Sequence, residues 1–196
     1  MLISRGLAAV CAAGLVVSCS PKAPPGAELV ARMNALCGKA FEGVITSDDP
    51  RDADWASERL VIHFRDCSPG EVRAPFHVGD DHSRTFIITQ LEHGLSFEHD
   101  HRHEDGEPDA LNLYGGDTET KPTGLRAEFP ADAYSRRLFE EQGYLASIDN
   151  VWSIEIREDS FIYALNRPNR HFEVTFDLTE QVELPPPAWG YEPDAE

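Results

Sequence analysis

Arg84-Thr85-Phe86-Ile87-Ile88-Thr89-Gln90-Leu91, followed after three residues by Leu95-Ser96-Phe97-Glu98-His99-Asp100-His101, sets the architecture. Both runs are short and rich in β-branched or aromatic side chains. In the second, Leu95 and Phe97 alternate with polar residues, the period of a strand with one buried face. Runs of the same kind lie near 41–46, 59–65, 71–76, 111–114, 125–129, 151–157, 161–166 and 172–178. Turn-forming residues separate them at Ser68-Pro69-Gly70, Gly79-Asp80-Asp81, Asp105-Gly106, Gly115-Gly116-Asp117 and Pro168-Asn169, the spacing of an antiparallel meander. This succession of about ten strands predicts a mainly β domain, either a lipocalin-like barrel or a two-sheet sandwich. The barrel is favoured, because consecutive hairpins need no long crossing connection and closure removes exposed edges.

Two helices are expected beside the strands. Leu29, Val30, Met33, Leu36 and Cys37 recur at helical intervals before Gly38, which predicts a short N-terminal helix that carries Cys37 toward the core. A second is predicted over 132–142, with Asp132 as its cap, Tyr134 and Leu138 aligned four residues apart, and Gly143 as its stop.

The chain begins with an export signal: Arg5, then an apolar run over 7–17 that is too short to span a bilayer, then Ser18-Cys19. Val16-Val17-Ser18-Cys19 resembles the lipobox of bacterial lipoproteins. That resemblance implies cleavage after residue 18, lipid on Cys19 and, with Ser20 rather than aspartate next, an outer-membrane address facing the periplasm. Several acyl chains on one residue suffice for stable anchoring, since each buried methylene contributes about 0.8 kcal/mol. Residues 19–26, rich in proline, read as a tether, 27–179 as a single β-rich domain, and 180–196 as an acidic, proline-rich tail, loose or strapped down. With Cys11 in the leader and Cys19 lipidated, Cys37 and Cys67 remain. In an oxidising envelope a disulfide between them is expected, the alternatives being two free cysteines or a two-cysteine metal site.

The formal charge is −18, from 17 basic and 35 acidic residues. That disfavours nucleic acid and anionic head groups, so membrane contact should run through the lipid. Cations remain candidate ligands. The segment His99-Asp100-His101-Arg102-His103 puts three histidines at alternate positions. Same-face neighbours on a strand lie about 6.6 Å apart, so His99 and His101 could share a zinc or copper ion, with His103 joining only if the strand bends. A strand end whose imidazoles are satisfied by protein groups is the plainer reading. A second cluster is a basic strip of His63, Arg65, Arg73 and His77, which would bind a carboxylate or neutralise nearby acids. The chain has no nucleophile elbow, phosphate-cradling glycine loop or dinucleotide fingerprint.

The stretches His63-Phe64-Arg65-Asp66-Cys67, Pro75-Phe76-His77-Val78-Gly79, the histidine segment 99–106, Tyr114-Gly115-Gly116-Asp117 and Asn150-Val151-Trp152-Ser153 resemble those of a family of uncharacterised secreted bacterial proteins. The likeness covers most of 37–178 and implies export and a shared domain, with no activity attached. The expectation is a lipid-anchored envelope protein whose β domain binds a small ligand or an envelope partner without catalysis. The alternative is a metal-binding protein or metal-dependent hydrolase using His99 and His101.

Overall fold

The two-residue period becomes eleven strands in the computed structural model, which describes residues 22–192. They are β1 (Lys39–Ile45), β2 (Leu60–Phe64), β3 (Asp66–Ser68), β4 (Glu71–Val78), β5 (Asp81–Gln90), β6 (Leu95–His101), β7 (Tyr114–Asp117), β8 (Arg126–Pro130), β9 (Val151–Ile156), β10 (Ser160–Arg167) and β11 (Arg170–Val182). The export segment and Cys19 lie outside the described residues. Among the described residues no helix is long and apolar enough to cross a membrane.

All strands join one antiparallel sheet in the order β7-β6-β5-β4-β2-β1-β11-β10-β9-β8, with the short β3 also beside β4. The first and last strands of the chain pair directly, Gly43 opposite Phe176 and Ile45 opposite Val174. The sheet therefore curls into a nearly closed, lipocalin-like barrel rather than two stacked sheets. Its seam lies mid-sequence, between β7 and β8.

The seam explains a pair of glycines. A Cβ on Gly115 would sit 1.8 Å from the carbonyl oxygen of Phe97, and one on Gly116 would sit 1.8 Å from that of Pro130. β7 is thus wedged between β6 and the end of β8, where only glycine fits. Gly115-Gly116-Asp117, expected to be a turn, is the body of β7, and the strand expected at 111–114 begins only at Tyr114.

α3 (Ala133–Glu141) covers the free edge of β7. Ser135 Oγ accepts from Gly115 N at 2.7 Å and donates to Gly115 O at 2.9 Å. Asp132 N donates to the same carbonyl at 3.0 Å. Backbone groups that would otherwise offer a template for another strand are thereby satisfied. As expected, Asp132 caps the helix, accepting from Ser135 N at 2.7 Å. The buried face differs from the expected one. Ser135 and Phe139 point inward while Tyr134 is exposed, because the edge bonds made by Ser135 set the rotation of the helix.

α1 (Ala27–Asn34) plugs one end of the barrel with Leu29, Val30 and Met33, all buried. It ends before Cys37, which is exposed and does not enter the core as expected. Cys37 instead bridges to Cys67 on β3 with a Cα–Cα distance of 6.1 Å. Above α1, Phe41, Phe64, Phe161 and Phe176 fill the barrel, with ring contacts such as Phe64–Phe161 at 5.2 Å and an interplanar angle of 88°, the edge-to-face geometry aromatic rings prefer.

After β11 the chain crosses the outside of the barrel. Trp189 N donates to His82 O at 3.0 Å, Tyr191 Oη donates to Asp100 Oδ2 at 3.1 Å, and the Arg65 guanidinium lies 5.3 Å from the Tyr191 ring centre. The tail is a strap. Outward-phase residues on this side of the sheet, including His63, His77 and Asp100, are consequently buried.

Candidate functional site

At the end of the barrel opposite α1, the inward side chains do not meet, and they enclose a cavity of about 350 Å³. That is enough for a small organic molecule. β5, β7, β9 and β11 start at this end and β6 and β10 finish there, so the wall is built from their terminal inward positions: Arg84, Phe86, His99, His101, Tyr114, Trp152, Tyr163, Leu165, Arg167, Arg170 and Phe172. The connection between β1 and β2 supplies the rest of the roof. There Asp49 accepts from Arg51 N at 3.0 Å to start a short turn, and α2 (Ala53–Ala56) follows. This turn sets Trp55 edge-on against Phe172 at 5.4 Å and Phe76 at 5.9 Å. Tyr144, beyond α3, is exposed at the rim.

His99 and His101 face inward, as the alternation predicts. His99 Nδ1 lies 3.1 Å from the carbonyl oxygen of Tyr114, and Nε2 lies 3.1 Å from Tyr163 Oη. A carbonyl cannot donate, so Nδ1 carries the proton, and Nε2 accepts from the tyrosine hydroxyl. Burial holds the pKa of His99 well below the ordinary imidazole value, and the His101 charge adds to the effect. His101, 3.1 Å from Tyr114 Oη through Nε2, is lowered to about 4 by burial and by Arg84. Burial raises the Tyr114 phenol to about 12 and the Tyr163 phenol well above its usual value. Near neutrality these four groups form two uncharged hydroxyl–imidazole pairs.

These contacts bear on the zinc or copper expectation. His103 lies beyond β6, largely exposed, with Nε2 3.7 Å from Asp109, and does not turn back toward the other two. Both nitrogens of His99 are committed to protein partners. Among the described residues no group of three or more histidine, cysteine, aspartate or glutamate side chains could hold a metal ion. His99 and His101 line the same cavity, and the third histidine does not join them.

The basic strip also has a different use. His63, Arg73 and His77 do lie on neighbouring strands, with Arg65 between β2 and β3, Val61 pairing with His77 and Asp66 with Arg73. They are on the outer face, under or beside the strap, where Arg65 donates to the carbonyl of Glu192. The face expected to offer a carboxylate site is occupied by the protein's own C-terminal segment.

The charged groups of the cavity escaped the sequence reading. Arg84 is buried on β5, its Nη2 donating to Asp81 at 2.6 Å, its guanidinium 4.7 Å from the Trp55 ring centre, and its Nη1 without an acceptor. Arg170 pairs with Asp52 and lies 3.2 Å from Asp49. Arg167 donates through Nη1 to Ser147 Oγ at 3.0 Å and Asn150 Oδ1 at 3.4 Å. A signal was present. Arg84 is in phase with Phe86 and Ile88, Arg167 with Tyr163 and Leu165, and Arg170 with Phe172 and Val174. An arginine in the apolar phase at a strand end marks a charged mouth on an otherwise apolar interior.

Comparison of the chain with protein-family models, curated proteins and solved structures finds no significant match.

Proposed function

We propose that this protein is a lipid-anchored component of a bacterial envelope whose barrel binds a small organic ligand without transforming it. The cavity of about 350 Å³ carries this reading. It is walled by rigid aromatic side chains, with a few convergent polar groups at one end, the usual composition of a site for a drug-sized ligand. Its histidines and tyrosines are kept uncharged by burial and hydrogen-bond in pairs, which suits positioning more than proton transfer near pH 7. A metal carrier or metal-dependent hydrolase would need His99 Nε2 to surrender the hydrogen bond from Tyr163, while Nδ1 could keep its bond to the Tyr114 carbonyl.

Support for the anchor comes from the apolar leader and Val16-Val17-Ser18-Cys19, and Ser20 supports the outer membrane. The full chain expressed in a bacterium should fractionate with membranes and carry acyl label, whereas Cys19→Ala should be released as soluble periplasmic protein. A parent chain that is already soluble and unlabelled removes the anchor. Native mass spectrometry of the Cys19→Ala chain, before and after gentle organic extraction, tests the barrel. A co-purifying small molecule lost on extraction, or saturable uptake of an added apolar dye, is the expected result. Failure of both removes the ligand-binding reading.

A further inference from the structure

The cavity inverts the charge of the protein around it. Four of the 17 basic residues, Arg51, Arg84, Arg167 and Arg170, line it, against one of the 35 acidic residues, Asp52. Acidic composition would distribute the other way by chance, so the gathering of cations at this mouth asks which of them the protein's own carboxylates leave unanswered.

Three of them already face carboxylates. Arg51 pairs with Asp49, Arg84 with Asp81, and Arg170 with Asp52 and Asp49. Arg167 does not. Its Nη1 is held by Ser147 and Asn150, both neutral, and its Nε–Nη2 edge meets no acceptor among the described residues. Partial burial and the nearby charges of Arg170 and Arg51 also disfavour its charged form. An anion placed there would relieve that repulsion. The fixed Nη1 orients the fork, and two parallel N–H donors on one guanidinium edge match the two oxygens of a carboxylate.

The walls indicate what the anion is attached to. Trp55 stands at 87° to Phe172, and Tyr114 lies 5.8 Å from Trp152 with the rings inclined by 36°. Aromatic side chains are stiff, and their faces and edges complement a flat ring better than a flexible chain, which would also lose rotational freedom on entry. On the ligand-binding reading above, we infer that the cavity takes a planar aromatic or conjugated carboxylic acid, its carboxylate on the Nε–Nη2 edge of Arg167 and its ring among Trp55, Trp152 and Phe172.

The test is isothermal titration of the full chain carrying Cys19→Ala with four probes: 2-naphthoate, its neutral analogue 2-naphthylmethanol, dodecanoate and dodecanol. The inference expects 2-naphthoate to bind about ten-fold or more tightly than 2-naphthylmethanol, a preference on the scale of one charge-assisted contact, and more tightly than dodecanoate. Arg167→Gln, at a half-exposed strand end, should abolish that preference while 2-naphthylmethanol binds as before, and Arg167→Lys should restore part of it. Equal binding of naphthoate and naphthylmethanol, unchanged by Arg167→Gln, overturns carboxylate recognition and leaves the ligand-binding barrel standing. Tighter binding of dodecanoate overturns the planar ring. No binding of any probe to a chain with native circular dichroism overturns this inference, while the extraction experiment decides the barrel reading separately.

Discussion

Acidification from pH 7.5 to 5.5 should remove about 4 kcal/mol of folding stability, and three buried histidines are the reason. His99 is held well below the ordinary imidazole pKa, His101 at about 4 and His77 at about 3, with burial the largest cause in each case. His77 sits under the strap, where His82, His63 and Arg84 add to burial by disfavouring its charge and Asp81 opposes them. In the unfolded chain these rings take up protons once the pH falls below about 6.5, while the folded protein leaves them neutral. The unfolded state then binds more protons, so stability declines on acidification by about 1.4 kcal/mol per pH unit for each ring. Integrated from pH 7.5 to 5.5, three such rings give the 4 kcal/mol, about 3 kcal/mol of it below pH 6.5. The loss levels off only when the folded rings titrate, near pH 4 for His101 and pH 3 for His77. Urea unfolding followed by tryptophan fluorescence measures it: with a slope of about 2 kcal/mol per molar, the midpoint should fall by roughly 2 M. His77→Leu should remove about a third of the effect and cost little at neutral pH, because neither ring nitrogen of His77 has a hydrogen-bond partner. A midpoint that stays within about 0.5 M, or rises on acidification, refutes the argument.

Other expectations follow from the seam and the strap. Ser135→Ala strips the partner from a buried backbone N–H and should cost about 1–3 kcal/mol, lowering the calorimetric Tm by several degrees. Gly116→Ala drives a methyl group into the Pro130 carbonyl. It should cost at least about 3 kcal/mol, with amide exchange accelerated first in β7 and β8, whereas uniform exchange across the barrel would show that the seam is not the weak point. A stop codon after Val182 removes the strap and should produce a folded but less stable chain that binds a hydrophobic surface dye. Unchanged stability and no dye binding would mean that the strap protects nothing.

Most of the barrel was legible because its strands are short apolar runs, several of them alternating as in β8 and β11, and its turns use ordinary turn residues. The sequence misled where backbone proximity outranked local propensity. Gly115-Gly116 has the composition of a turn, yet its lack of side chains serves the tight fit at the seam, a relation between segments that no local window contains. α3 failed in a similar way. Its length and cap followed from Asp132 and Gly143, but its buried face was decided by hydrogen bonds from Ser135 to another element. The histidines were found because three at alternate positions are conspicuous, whereas Arg84, Arg167 and Arg170 are each unremarkable in a charged chain. Only their shared phase with apolar neighbours, repeated on three strands, distinguishes them. Net charge pointed the wrong way for the cavity, since a sum over the chain carries no information about where the few cations converge.

The plug at the base of the barrel fixes a direction. Pro25 accepts from Gln90 Nε2 at 2.9 Å, and α1 follows immediately, so the chain enters the domain beside the β5–β6 hairpin. Arg84 stands six residues back along β5, about 20 Å away at the rise of a strand. A lipid on Cys19, three residues before Lys22, would have only about 10 Å of leash. The domain would stand on its plugged end with the arginine-ringed opening turned toward the aqueous space. Cargo would then be exchanged with soluble carriers or facing proteins rather than drawn sideways out of the bilayer beneath.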